Sequence, residues 1–70
     1  MSPEEAVLAV LRGADEPLHW TVIQDRALRA GHLDPFATPD VRAAILGAIR
    51  ALVADGRVRK TATGVYGPAR

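Results

Sequence analysis

Residues 57–67, RVRKTATGVYG, change the period of this chain, and the rest of the sequence is read outward from them. Val58 stands between Arg57 and Arg59, and Val65 and Tyr66 follow Gly64. Apolar and polar residues alternate on either side of TATG, which is the two-residue period of strands. Two short strands joined by a turn are expected, at about 57–61 and 64–67, with Gly64 free to take a positive φ. Pro68 ends the second strand because it has no N–H to extend a ladder.

Upstream the period is helical. Val41, Ile45, Ala48, Ile49, Leu52 and Val53 recur at steps of three and four and form one apolar stripe. They predict a third helix at about 39–55, with Thr38 as cap, Pro39 at the first helical position, Asp40 in the first turn and Gly56 as the stop. A first helix is expected at 3–12. Ser2 and Glu5 have capping-box spacing around Pro3, Val7, Leu8, Val10 and Leu11 give the apolar side, and Gly13 ends it. Between these, PLHW (17–20) is short, apolar and bounded by turn and cap signals, so it reads as a strand at about 18–20. Thr21, with Gln24 three residues on, is the expected capping box of a second helix at 22–30. That helix carries Ile23, Ala27 and Leu28 on one face and stops at Gly31. In the connecting HLDPFA (32–37), Leu33 and Phe36 are expected to tuck into the core.

The element order is therefore helix, strand, helix, helix, strand, strand. That is an α+β winged helix, with three helices and a small three-stranded antiparallel sheet, in one domain spanning 1–70. The first strand would join the edge of the C-terminal hairpin. The second and third helices would form the helix-turn-helix, joined by a connection longer than the minimal three or four residues. A chain of 70 residues buries only roughly 60% of its unfolded surface, so the core must be thin. With 49% hydrophobic and 24% charged residues the composition is that of a folded chain. Cysteine is absent, which rules out disulfides and thiolate metal sites.

Several short motifs coincide. EAVLAVLRGADEPLHWTVI, TPDVRAAI and LVADGRVRKTATGVY resemble, in order and spacing, the opening, the entry to the third helix and the ending of the HARE-HTH domain family. The resemblance runs from about residue 5 to residue 67. It implies a winged-helix fold and a DNA-binding role, in a family whose module accompanies chromatin, restriction or transcription domains. The third helix departs from that pattern, being short of polar side chains where a base-reading helix would carry them.

Charge distribution adds an independent observation. Residues 1–40 hold three arginines against seven acids, while residues 41–70 hold Arg42, Arg50, Arg57, Arg59, Lys60 and Arg70 against Asp55 alone. Such asymmetry points to a polyanionic partner, with pairing of acids and bases across the fold as the competing account. The candidate DNA contacts are Thr38, Arg42 and Arg50 around the third helix, and Arg57, Arg59, Lys60, Thr61 and Thr63 on the hairpin. Arg and Lys there would hold phosphates without reading sequence. On the third helix only Arg42 and Arg50 have base-reading chemistry. Ala43, Leu46 and Gly47 between them form a small apolar surface, so a protein-interaction or homodimer role competes with double-stranded DNA. Trp20 is expected to pack against the wing and the first helix, with Tyr66 as a neighbour. The expectation elsewhere is negative. His19 and His32 lack metal-site spacing, so no metal or other cofactor is expected. Ser2 is occupied as a cap and the paired acids sit at helix or turn ends, so no catalytic residue, enzymatic activity or small-molecule substrate is expected. With no basic leader and no long apolar run, a cytoplasmic chain without membrane attachment is expected, nucleoid-associated if it binds DNA. The Ala- and Arg-rich composition reads as that of a high-GC bacterium.

Overall fold

Helix α1 (Pro3–Arg12) begins where its cap requires. The Ser2 N–H donates to Glu5 Oε1 (2.9 Å) and the Glu5 N–H donates to Ser2 Oγ (3.2 Å), so the capping box is closed in both directions. The Ser2 backbone N–H, and after it the Ser2 hydroxyl, hold the Glu5 carboxyl below its ordinary pKa. The computed structural model describes residues 1–69; Arg70, counted above among the basic residues, lies outside the described residues.

After α1 come β1 (Leu18–His19), α2 (Trp20–Arg29), α3 (Val41–Ala54), β2 (Val58–Ala62) and β3 (Val65–Pro68). The sheet order is β1-β3-β2, antiparallel throughout, with Leu18 opposite Tyr66 and Lys60 also opposite Tyr66. The short strand thus joins the free edge of the hairpin, and the molecule has an α+β, winged-helix-like topology. Thr61 is an extra residue between the Lys60 and Ala62 pairings, a bulge that bends β2 just before the turn. The turn itself is Thr63-Gly64, with Gly64 at φ 73°.

Helices α2 and α3 end alike. The N–H groups of Gly31 and His32 donate to the carbonyls of Leu28 and Ala27, and those of Gly56 and Arg57 to Val53 and Leu52. Both are Schellman ends, with the glycine at φ 75° satisfying the last carbonyls.

The helix starts differ from the sequence expectation. His19, not Thr21, caps α2: its Nδ1 accepts from the Thr21 N–H (3.3 Å) and lies 2.7 Å from Thr21 Oγ1. The helix accordingly begins at Trp20, and the expected strand loses Trp20 to it. Gln24 closes no capping box; its Oε1 is buried without a hydrogen-bond partner among the described residues. Asp40, not Thr38, caps α3, accepting from the Ala43 N–H at 3.0 Å, so Pro39 lies outside the helix. The Thr38 N–H is already committed to the Asp34 carbonyl (3.0 Å).

The core is Ala6, Val7, Val10 and Leu11 from α1, Ile23 and Ala27 from α2, Ile45, Ala48, Ile49 and Leu52 from α3, with Leu18, Leu33 and Val58. Two expected members are missing. Phe36 is 98% exposed, and Val53 at the edge of the α3 stripe is 36% exposed. Leu33 is buried in the α2–α3 connection, whereas Phe36 faces outward on a turn in which its N–H donates to Asp34 Oδ1.

Candidate nucleic-acid interface

The outward side of α3 is set by what its inward side buries. With Ile45, Ile49 and Leu52 inside, Arg42, Ala43, Gly47 and Arg50 are exposed and Leu46 is half-buried at the margin. Arg42 and Arg50 stand eight residues apart, about 12 Å along the axis. Between them Ala43 and Gly47 leave a shallow groove whose other walls are Asp40 and Leu46. A Cβ added at Gly47 would meet nothing within 4 Å, so the groove is open to a backbone or a partner surface.

Arg42 is fixed by an aromatic. Its guanidinium carbon lies 5.3 Å from the centroid of the Trp20 ring, a cation–π geometry. Trp20 is in turn held by its own N–H, which donates to the Gly64 carbonyl at 2.9 Å and so extends the β1–β3 ladder by one bond. The indole Cδ1 lies 3.6 Å from where a Cβ on Gly64 would stand, so the ring is beside the hairpin turn, which is the wing side of the expectation; its other neighbour is α3 through Arg42. Composition and spacing gave no signal of this pairing, because Trp20 and Arg42 are joined only by the packing of α2 on α3.

Strand alternation divides the basic residues of the hairpin between two sides. Lys60 lines a groove with Leu46, Ile49, Arg50, Val53 and Tyr66, on the α3 side. Arg59 and Thr61 line a different groove, walled by Arg12, Asp15, Glu16 and Pro17. Arg57 precedes β2 and lies by Leu8, Arg12 and Pro68. Thr63 is exposed at the turn, and Thr38 is half-buried ahead of α3. The structure thus brings Arg42, Arg50 and Lys60 together along α3, and sets Arg57, Arg59 and Thr61 apart from them. Arg59 shares its groove with two carboxylates, which is the arrangement that pairing of acids and bases across the fold describes. A further ion pair, Arg29 Nε to Asp25 Oδ2 at 3.1 Å, is internal to α2 and exposed, where such pairs contribute little.

Among the described residues no three His, Asp or Glu side chains converge as metal ligands, and no helix is long and apolar enough to cross a membrane. Comparison of the chain with protein-family models, curated proteins and solved structures finds no match.

Proposed function

We propose that this chain is a winged-helix module of the HARE-HTH type that binds double-stranded DNA with weak sequence preference, in the cytoplasm of a bacterium. The observation that supports this best is the convergence of Arg42, Arg50 and Lys60 from two elements along one side of α3, with only small residues between the two arginines. Three cations over that span suit successive phosphates, and Ala43 and Gly47 allow the backbone to come close. The stacking of Arg42 on Trp20 orders one of them in advance. Arg57, Arg59 and Thr61 lie on the other side of the hairpin and reach only flanking DNA.

Fluorescence anisotropy on a random-sequence duplex, titrated at several salt concentrations, tests the proposal. Three phosphate contacts give log K against log salt a slope of about −2.7. Arg50→Ala and Lys60→Ala should each reduce that slope by about one, with Arg59→Ala doing less. Negligible binding at low salt would end the DNA reading.

The exposed Ala43 and Gly47 beside Leu46 support a second reading, a helix-packing contact with a protein partner or a second copy. Leu46→Glu separates the two. It abolishes a packed helix contact, seen by light scattering, whereas a phosphate-holding face loses less.

A further inference from the structure

Among the described residues the most exposed large hydrophobic side chain is Phe36, and the backbone that carries it is held rather than loose. Its N–H donates to Asp34 Oδ1 (2.9 Å), and the N–H groups of Ala37 and Thr38 donate to the Asp34 carbonyl (3.1 and 3.0 Å). Pro35 fixes the backbone between them. A phenyl ring presented on such a turn loses little freedom on binding. Its surroundings are acidic: Asp34 and Asp40 flank it, and no Lys or Arg lies between Arg29 and Arg42. The carboxylate of Asp34, bonded to the Phe36 N–H, opposes a polyanion as the occupant.

The same molecule carries a surface of opposite character. The groove between α3 and the hairpin is walled by Leu46, Ile49, Val53 and Tyr66 and rimmed by Arg50 and Lys60. Its volume is about 200 Å³, and a cavity of roughly 150 Å³ holds a benzene ring. Phe36 is 98% exposed, so it does not fill the groove of its own chain.

We propose that the Phe36 turn of one copy docks in the α3–hairpin groove of a second copy, its phenyl ring against Val53 and Tyr66 and its Asp34 and Asp40 facing Arg50 and Lys60. The two surfaces are different patches of one molecule, so the contact is head-to-tail and propagates into short chains rather than closing as a symmetric pair. This goes beyond the DNA reading and does not rest on it. If both hold, DNA and a second copy compete for Arg50 and Lys60.

Sedimentation equilibrium of the purified chain without nucleic acid tests the pairing. A contact of this size populates near ~1 mM, so the weight-average mass should rise above the monomer value there and fall back on adding salt. Phe36→Ala and Val53→Glu should each lower the association constant about 10-fold or more. Mixing the two variants should restore a heterodimer, because Phe36→Ala keeps the groove that accepts the ring and Val53→Glu keeps the ring. Both positions are exposed, and Lys60→Glu serves in place of Val53→Glu should that variant lose its far-ultraviolet helix signal. A wild-type chain that stays monomeric overturns the pairing and leaves Phe36 to a partner of another kind. Variants that associate like wild type, or a mixture that stays monomeric, overturn it as well.

Discussion

Gly64 joins three features at one residue. It takes φ 73°, its carbonyl accepts from Trp20, and a Cβ there would lie 2.8 Å from His19 Nε2. The His19 ring cannot swing aside freely, because its Nδ1 is the cap of α2. Gly31 has nearly the same φ but nothing within 4 Å of an added Cβ. Gly64→Ala should therefore cost about 1 kcal/mol more than Gly31→Ala, the excess being the displaced cap. The excess should vanish in a His19→Ala background, which denaturant titration of the four variants would show. Gln24 makes the opposite case. Its buried Oε1 has no partner among the described residues, so it is desolvated without return. Gln24→Met should raise stability by about 1 kcal/mol, visible as a higher denaturant midpoint at unchanged m. Neither effect is legible in sequence: Gly64 signals a turn, but only the fold lays His19 against it.

At the level of elements, the start of α1 depends on charge. Glu5 titrates below its ordinary range because it accepts from Ser2 when ionised. A carboxyl with its pKa lowered by folding adds stability above its unfolded pKa, and that stability fades as the pH falls through the folded value. Wild type should thus exceed Glu5→Gln in stability at neutral pH, and the gap should close as the pH drops below the glutamate range. An equal gap at both ends would mean that the ionised form is not what closes the box. This capping box is local, four residues long, and so it was readable from Ser2, Pro3 and Glu5. The starts of α2 and α3 were not. The spacing pointed to Thr21 and Thr38, whereas His19 and Asp40 hold the caps, each in extended backbone immediately before the first helical residue. Glycine ends were clearer, because Gly31 and Gly56 are the residues that take a left-handed φ without strain.

For the whole molecule, the thin core sets the margin. Ile45, Ile49 and Leu52 carry α3 against α1 and α2, and none has appreciable exposure. Ile45→Ala should cost about 2–5 kcal/mol, comparable to the entire stability of a domain this small. Far-ultraviolet circular dichroism should then show a largely unfolded chain at 25 °C. Val53→Ala, at the exposed margin of the same stripe, should unfold little of it. Sequence by itself determined the three helices, the hairpin, the sheet edge taken by PLHW and the α+β order. Those follow from periods of 3.6 and 2 and from glycine and proline stops, which are properties of neighbouring residues. Tertiary structure alone decided which cations share a side, that Trp20 carries Arg42, and that Phe36 faces solvent while Leu33 fills the core. Those depend on which elements meet, and a one-residue step along β2 moves a side chain from the α3 groove to the opposite one.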